Sequence, residues 1–324
     1  MTRVETGARL HFGFQNLALA HDRLYGGVGL ALAEPRLVVE AERADSIQVD
    51  YRDAEPFARD VCDILGVEGV RLDVPERFPR HAGLGSGTQL ALASLVAIGG
   101  AYDRTVDPRE CAPALGRGGR SGVGVAAFER GGFVVDAGHP TERFTSAPPE
   151  RGDWSVPRPV ARHDLPADWR FVLVTPDVPP GRSGTPEEES MRSVVERADP
   201  SVADEMATLL VRRVLPAVAE GDVAAFGRAI ARMGRLNGAW YADEQGGVYR
   251  PPAGQVVEAL SDSPAIYGAG QSSWGPTVYG LTTDREADHA TGVARDALSD
   301  LGTDGTVRTA GPRNGGASLA SDGP

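Results

Sequence analysis

Hydrophobic and polar positions predict strands and helices in two successive stretches of the chain. In the first stretch, apolar runs and loose alternation predict strands over residues 4–12, 26–32, 36–40, 47–51, 70–74 and 133–136. The pair 26–32 and 36–40 is expected to turn at Glu34-Pro35. Apolar positions at helical spacing predict helices over 56–66, 86–101 and 108–115.

The second stretch follows residues 140–168, where many prolines and arginines predict an irregular crossing segment. Beyond it we expect strands at 169–175, 278–282 and 306–309, and helices at 187–196, 201–220, 222–241, 253–260 and 284–301. This organisation predicts two domains, residues 1–155 and 156–317, with a frayed tail at 318–324. The order lacks the regular strand–helix alternation of a Rossmann sheet, so it favours an α+β two-layer architecture.

Composition narrows the classes of function. The chain has 324 residues, of which 41% are hydrophobic, and its net charge is −12. No apolar run approaches the ~20 residues of a membrane helix, and the N-terminus lacks the apolar region of a signal peptide. We therefore expect a cytoplasmic protein that has no membrane partner. The acidic balance argues against a nucleic-acid partner, which would require a basic face.

The basic residues are all arginine, 33 in number, and the chain contains no lysine. An acidic, lysine-free surface suits a salt-rich cytoplasm such as that of a halophilic archaeon, and high-GC coding also produces an arginine bias. Without lysine the chain can form no Schiff base and has neither a P-loop lysine nor a lysine general base.

A glycine-rich loop leads directly into the apolar helix predicted at 86–101. Gly83, Gly85 and Gly87 allow a tight turn and close approach of the backbone to a ligand. Ser86 or Thr88 is expected to cap the helix. Free N–H groups and the positive end of the helix would then form an anion site, typically for phosphate. On the glycine pattern alone, a plain loop-to-helix junction fits equally well.

Three glycine motifs together resemble the GHMP kinase superfamily. The sequence RHAGLGSG at 80–87 resembles its central phosphate-binding motif, GARLHFG at 7–13 its N-terminal motif, and GAGQSSWG at 268–275 its C-terminal motif. They occur in the family's order and span almost the whole chain. Segments 83–93, 26–32 and 271–276 are similar to the branch of β-ribofuranosylaminobenzene 5′-phosphate synthases.

The resemblance implies a fold and an activity. The expected fold is a GHMP kinase-like α+β fold, with an N-terminal part like ribosomal protein S5 domain 2 and a ferredoxin-like C-terminal domain. The activity it implies is decarboxylating phosphoribosyl transfer from phosphoribosyl pyrophosphate to 4-aminobenzoate or 4-hydroxybenzoate. Carbon dioxide and pyrophosphate are released in a methanopterin-type pathway. The partners it implies are these small molecules and a second copy of the chain in a homodimer.

Two alternative functions remain open. The first is an ATP-dependent small-molecule kinase of the same fold, but Gly124 stands where such kinases usually carry a catalytic aspartate, and the lysine partner is missing. The second is a relative that binds phosphate ligands without turnover. It is motivated by Asn16, because the family pattern has an acidic residue at that position and an amide cannot act as a base.

Carried onto this chain, the resemblance assigns candidate residues to three roles. The catalytic candidates are Arg23, Asn16, Asp22 as a substitute for the missing acid, and His11. The phosphate-binding candidates are Gly83, Leu84, Gly85, Ser86, Gly87, Thr88 and Arg120, with Arg117 beside them. The substrate-binding candidates are Gly26, Gly27, Gly270, Gln271, Ser272 and Trp274.

Several of these candidates also have a structural interpretation. Arg23 suits a phosphate or a carboxylate but would also suit a solvated surface, and His11 could be a structural hydrogen-bonding group. Trp274 could stack on a benzoate ring or belong to the core. Arg182-Ser183-Gly184 resembles a substrate-facing loop only weakly. Charge predicts Mg²⁺ on the donor's diphosphate, and the sequence predicts no protein metal site.

Overall fold

The computed structural model describes residues 1–144, 150–179 and 185–321. Its strands are β1 (Thr2–Asn16), β2 (Arg23–Arg43), β3 (Ile47–Val49), β4 (Val70–Glu76), β5 (Phe133–Asp136), β6 (His139–Pro140), β7 (Pro159–His163), β8 (Trp169–Pro176), β9 (Gly268–Gln271), β10 (Val278–Thr283), β11 (Gly305–Ala310) and β12 (Ser318–Ser321). Its helices are α1 (Glu55–Leu65), α2 (Ser86–Ala101), α3 (Pro108–Cys111), α4 (Val123–Arg130), α5 (Thr185–Arg197), α6 (Pro200–Leu209), α7 (Leu215–Glu220), α8 (Val223–Trp240), α9 (Ala242–Gln245), α10 (Ala253–Ser261) and α11 (Ala287–Asp300). A π-helical segment, Leu210–Val214, joins α6 to α7.

The larger sheet is built around the two long strands β1 and β2. Its main order is β12-β1-β2-β4-β3, and β5 and β6 also pair with β2 while β7 pairs with β5. Helix α2 is apolar on nearly all sides and buried, packing against β1, β2, α1 and α4. A helix that is hydrophobic all round belongs inside a protein. The sheet therefore holds α2 as a central helix whose N-terminus faces one end of the fold.

The smaller sheet is antiparallel, with strand order β11-β8-β10-β9, and α10 and α11 pack against it. Helix α8 joins the two sheets because it contacts both β9 and β1. Its Phe226 ring lies 6.2 Å from Phe12, 5.6 Å from Phe133 and 5.0 Å from Trp169, centroid to centroid. These aromatic contacts belong to a hydrophobic cluster that runs through both halves of the chain.

Several local predictions were wrong. The turn expected at Glu34-Pro35 is a bulge within the continuous strand β2, because Gly7 pairs with Arg36 and Arg9 with Ala31 on the same neighbouring strand. The helix expected over 108–115 ends at Cys111. The tail expected at 318–324 instead begins with β12, which pairs with the free edge of β1, and residues 322–324 lie outside the described part.

Two further segments differ from expectation. The crossing segment 140–168 contains β7, which extends the larger sheet beside β5. The third glycine loop begins as strand β9, where Gly270 pairs with Tyr279. The domain boundary between residues 155 and 156 stays a prediction. Within the described ranges, none of the helices combines the length and the apolar character needed to cross a membrane.

Candidate active site

A large cleft opens where β1 and β2 meet the N-terminal ends of α2 and α4. Its volume is about 1050 Å³. Its described lining carries only two carboxylates, Asp153 and Glu189, but six arginines: Arg9, Arg117, Arg120, Arg143, Arg151 and Arg192. In a chain with net charge −12 this is a local concentration of positive charge. Concave, charge-lined surfaces concentrate ligands of opposite sign, so the cleft suits an anion.

The N-terminus of α2 lies at the wall of this cleft. Helix α2 begins at Ser86, and its N-cap is Gly85 in the left-handed conformation (φ 80°), with no side chain capping the end. The predicted cap by Ser86 or Thr88 is therefore wrong, because Ser86 is already helical and buried. A helix start without a side-chain cap leaves backbone N–H groups for an anion.

Two of the cleft arginines pack against this helix start. Arg9 Nη1 donates to the carbonyl oxygen of Gly83 at 2.6 Å. Arg117 lies over Gly87, where an added Cβ would sit 3.2 Å from Nη1. Thr88 lines the cleft directly, whereas Leu84 is buried in the core. The glycines thus bring two guanidinium groups close to the positive end of α2.

The third glycine motif closes onto this loop through Ser272. Its buried hydroxyl donates to the carbonyl oxygen of Gly83 at 2.7 Å and accepts the amide N–H of His11 at 3.1 Å. The backbone amide of Thr277 also donates to Ala82. The three motifs predicted from the sequence therefore meet in space, and a single hydroxyl connects them.

A buried carboxyl group lies behind the cleft. Asp136 ends β5 and is fully buried. Its oxygens accept the N–H of Gly122 at 2.7 Å, the N–H of Gly138 at 2.9 Å and the hydroxyl of Ser121 at 3.1 Å. Burial raises the pKa of Asp136 to about 6, despite these hydrogen bonds. A carboxyl with such a pKa can change protonation near neutral pH.

Ser121 connects this carboxyl to the cleft. Its Oγ lies 3.2 Å from Nε2 of His11, and both residues line the cleft. Burial, together with the charge of Arg9, lowers the pKa of His11 to about 3, so the imidazole is neutral. The arrangement is a continuous series of polar groups from a buried carboxyl to a neutral imidazole.

Gly27 makes this arrangement sterically feasible. A Cβ there would lie 2.0 Å from Oγ of Ser121 and 2.8 Å from Oδ2 of Asp136. At Gly26 (φ 78°) a Cβ would meet the side chain of Gln15 at 2.6 Å. Of the two glycines predicted to bind substrate, Gly27 thus packs against Ser121 and the carboxyl of Asp136, and Gly26 packs against Gln15.

An aromatic wall adjoins the arginines. The rings of Phe14 and Tyr25 are 5.7 Å apart, and Trp274 packs edge-on against Tyr241 at 4.7 Å. Burial raises the pKa of Tyr25, although the charges of Arg120 and Arg192 oppose the shift. Phe14, Tyr25 and Trp274 all line the cleft. The cleft thus combines a cationic surface with an apolar, aromatic one.

Family models and curated relatives match this chain. The model for the GHMP kinases N terminal domain matches residues 54–132, and the model for GHMP kinases C terminal matches residues 214–300. A β-ribofuranosylphenol 5′-phosphate synthase of Methanothermobacter thermautotrophicus is 32% identical, over 97% of this chain and 97% of that protein. Its namesake in Archaeoglobus fulgidus is 32% identical over 98% of this chain and 99% of its own length.

The chain belongs to the β-ribofuranosylphenol 5′-phosphate synthase family of the GHMP kinase superfamily. A solved homoserine kinase from Cytophaga hutchinsonii shares the fold, with a TM-score of 0.66 at 16% identity over 98% of this chain and 97% of that one. The predicted family and fold class are confirmed.

In this synthase-family chain, three predicted catalytic residues lie outside the cleft lining. The amide of Asn16 is buried and donates to the carbonyls of Ala18 and Arg23 while it accepts the N–H of Ala18. Asn16 therefore closes the turn between β1 and β2. Arg23 is exposed and donates to the carbonyls of residues 137 and 138, and Asp22 is exposed. Their catalytic roles stay predictions that the geometry does not support.

Of the substrate-binding candidates in the third motif, some line the cleft and others have structural contacts. Trp274 lines the cleft, whereas Ser272 is buried as a connector. Gln271 accepts the N–H of Arg250 at 2.9 Å, and a Cβ at Gly270 would lie 2.7 Å from the hydroxyl of Tyr279. The weakly matching Arg182-Ser183-Gly184 lies outside the described residues.

Sequence reasoning missed Asp136, Ser121 as its partner, and the arginines at 9, 143, 151 and 192. One signal was available for Asp136, because an acidic residue at the end of the apolar run Phe133-Val134-Val135 is costly unless it has a function or many hydrogen bonds. The dispersed arginines offer no local signal.

Two further features of the site concern the position of Gly124 and the side chains that could bind a metal ion. Gly124 lines the cleft opposite Thr88, where a Cβ would lie 3.2 Å from Thr88 Cγ2. Across the described ranges, with residues 145–149, 180–184 and 322–324 left aside, no three His, Cys, Asp or Glu side chains cluster closely enough to hold a metal ion.

Proposed function

We propose that the cleft transfers the phosphoribosyl group of phosphoribosyl pyrophosphate to the ring of a 4-substituted benzoate. The observation that carries this proposal is the junction of an arginine-lined helix N-terminus with an aromatic wall, within one cleft of a synthase-family chain. The donor contributes phosphate groups and the acceptor contributes an aromatic ring. The enzyme is then a pentosyltransferase.

The cationic surface supports binding of the donor. Arg9 and Arg117 flank the start of α2, and Arg120 lies in the loop before α4. Guanidinium groups pair with phosphate oxygens through two N–H donors at once, and backbone N–H groups add further donors. Preorganised donors of this kind stabilise the charge that develops on pyrophosphate as it leaves.

The aromatic wall supports binding of the acceptor. Trp274, Phe14 and Tyr25 offer ring faces and edges to a benzoate. In the proposed reaction, the ring carbon that bears the carboxylate forms a bond to the anomeric carbon, and the bond to pyrophosphate breaks. The carbon–carbon bond to carbon dioxide then breaks, and its electron pair restores the aromatic ring.

The name of the curated relatives favours one acceptor. A ribofuranosylphenol is the product expected from 4-hydroxybenzoate, whereas 4-aminobenzoate would give a ribofuranosylaniline. We therefore place 4-hydroxybenzoate first and 4-aminobenzoate second. Magnesium would enter bound to the diphosphate of the donor, with phosphate oxygens and water as its ligands.

The direct test is mass spectrometry of the product formed from phosphoribosyl pyrophosphate, Mg²⁺ and each benzoate at high salt concentration. The expected product is an aryl riboside phosphate that lacks the carboxyl group. A product that retains the carboxyl group, or no product with either acid, would contradict the proposal.

Two further measurements distinguish the alternative functions. A parallel reaction with ATP and a small alcohol tests the kinase hypothesis, which Gly124 and the absence of lysine disfavour. Phosphorylated alcohol in that reaction would favour the kinase. Tight binding of phosphoribosyl pyrophosphate by calorimetry, without turnover of either acid, would favour a non-catalytic relative.

A further inference from the structure

The hydroxyl of Ser121 lies between two groups that compete for its single proton. Asp136 Oδ2 is 3.1 Å away and His11 Nε2 is 3.2 Å away, and the hydroxyl also accepts the N–H of Val123 at 3.2 Å. A hydroxyl that donates to one of these groups must accept from the other if both contacts are hydrogen bonds. The direction of the hydrogen bonds from Asp136 through Ser121 to His11 therefore depends on which of these groups carry protons.

Two arrangements of the protons allow both contacts of Ser121 to be hydrogen bonds. When Asp136 is ionised, Ser121 donates to the carboxylate and His11 donates from Nε2, which leaves Nδ1 without a proton. When Asp136 is protonated, it donates to Ser121, the hydroxyl donates to Nε2, and the imidazole proton lies on Nδ1. His11 faces Ser121 through Nε2, and its ring lines the cleft.

We propose that Asp136, Ser121 and His11 form a proton relay, in which the buried carboxyl sets the tautomer of His11 and thereby exchanges one proton with the acceptor substrate. His11 is the catalytic group, and Ser121 and Asp136 are positioning residues that act through it. The substrate role rests on the proposed function, whereas the coupling between carboxyl and imidazole does not.

The proton balance matches the proposed transfer. As the ring of 4-hydroxybenzoate attacks, its O–H proton passes to Nδ1 of His11, the Nε2 proton passes to Ser121 and the serine proton passes to Asp136. When carbon dioxide leaves, its electron pair enters the ring and the three protons return in reverse. The imidazole stays neutral throughout, which agrees with the low pKa of His11.

The groups around Asp136 favour a carboxyl that can accept this proton. Among the described residues, the groups that reach Asp136 are uncharged: the N–H groups of Gly27, Gly122 and Gly138, and Ser121. The lining around His11 also carries ionisable side chains from neighbouring elements, namely Arg9 of β1, Tyr25 of β2, His139 of β6, and Arg117 and Arg120 before α4. Burial lowers the pKa of His139 as well.

The test that needs no turnover is NMR of the ring nitrogens of His11 as a function of pH. In the wild-type protein we expect the proton on Nε2 above about pH 6 and on Nδ1 below it, in step with Asp136. In Ser121→Ala the tautomer should no longer follow the carboxyl. The matched control is Ser94→Ala, which removes another buried serine hydroxyl that has no partner in the described structure and should leave the titration unchanged.

Kinetics test the substrate role. Ser121→Ala and Asp136→Asn should slow turnover of 4-hydroxybenzoate at least ~100-fold, the lower end for general acid–base catalysis. The fall in wild-type rate below about pH 6 should disappear in both variants. Turnover of 4-(dimethylamino)benzoate should slow much less, since that acceptor has no proton to give.

Three results would overturn the relay. These are a wild-type tautomer that does not change with pH, a titration that survives in Ser121→Ala, or equal slowing of both acceptors. If the wild-type protein turns over neither acid, the proposed function fails, while the ring-nitrogen measurement still decides the coupling. If Asp136→Asn fails to fold, Ser121→Ala carries the test.

Discussion

Ser272 donates its hydroxyl to the carbonyl oxygen of Gly83 at 2.7 Å, although 189 residues separate them. The hydroxyl oxygen of Ser272 in turn accepts the N–H of His11 at 3.1 Å. The two partners belong to the glycine loop 83–87, which is proposed to bind phosphate, and to β1, which carries the imidazole. This buried hydroxyl therefore fixes the arginine-lined end of the cleft relative to its proposed catalytic group.

Ser272→Ala should loosen that arrangement. The buried N–H of His11 would lose its partner, at a cost of about 1–3 kcal/mol in the free energy of unfolding. The carbonyl of Gly83 would keep only its hydrogen bond from Arg9. The KM for phosphoribosyl pyrophosphate should rise more than that for the benzoate. Chemical denaturation and steady-state kinetics measure these effects, with Ser94→Ala as the control. An unchanged donor KM would contradict the assigned role.

Arg117→Gln should weaken binding of the donor. Arg117 lies over Gly87 at the start of α2, and charge-assisted hydrogen bonds contribute about 1.5–3 kcal/mol, equivalent to roughly 10- to 150-fold in affinity. Calorimetry with phosphoribosyl pyrophosphate measures the loss. Arg59→Gln is the matched control, because Arg59 is exposed and pairs with Glu55 on α1. Equal affinities of the two variants would show that the anion binds elsewhere.

Trp274→Leu should affect the acceptor more than the donor. The indole lines the cleft and packs edge-on against Tyr241 at 4.7 Å. Aromatic pairs contribute about 0.5–1.5 kcal/mol beyond their buried area, so the KM for the benzoate should rise by roughly 2- to 10-fold. Trp274→Phe should retain most of the affinity. A larger effect on the donor than on the benzoate would contradict the placement of the acceptor.

Gly27→Ala should disrupt the relay by steric conflict. The new Cβ would lie 2.0 Å from Oγ of Ser121 and 2.8 Å from Oδ2 of Asp136, so Ser121 must move and activity should be lost. Gly292→Ala is the control, because a Cβ there meets nothing within 4 Å on helix α11. It should stabilise the protein by about 0.5–1 kcal/mol through helix propensity. Normal activity of Gly27→Ala would contradict the close packing.

The pH dependence of stability should change in Asp136→Asn. Asp136 has a pKa of about 6 against an ordinary 3.8, so its contribution to stability falls as pH rises through that window. His11 has a pKa of about 3 against 6.5, so its contribution falls as pH drops. The two trends oppose each other in wild-type protein. Without the carboxyl, Tm should decrease more steeply on acidification, and parallel Tm–pH curves would contradict the assigned pKa values.

The sequence predicted the parts of this site that depend on local backbone geometry. The loop Gly83–Thr88 could be predicted because glycine spacing and helix starts are local properties. The motif around Trp274 was predicted from its resemblance to the family's C-terminal glycine motif. Asp136 and Ser121 could not be paired from sequence, since their contact depends on β5 lying beside β2 above Gly27. The cleft arginines come from separate segments for the same reason.

Asn16 is a residue for which the family pattern predicted a catalytic role that its contacts do not support. Its place in the family pattern suggested chemistry, but its amide oxygen and nitrogen are occupied by backbone groups that close the turn after β1. A residue type at a matching position indicates a role only when its side chain reaches the site. The buried carboxyl of Asp136, which the motif comparison did not identify, reaches it through Ser121.

We propose that one cleft joins the ribosyl donor to the ring of a benzoate and removes its carboxyl group. The most direct measurement follows labelled carbon dioxide from carboxyl-labelled 4-hydroxybenzoate and pyrophosphate from the donor in the same reaction. We predict that both appear at equal rates and in equal amounts, and only when both substrates are present. Pyrophosphate without carbon dioxide, or carbon dioxide without the donor, would contradict the claim.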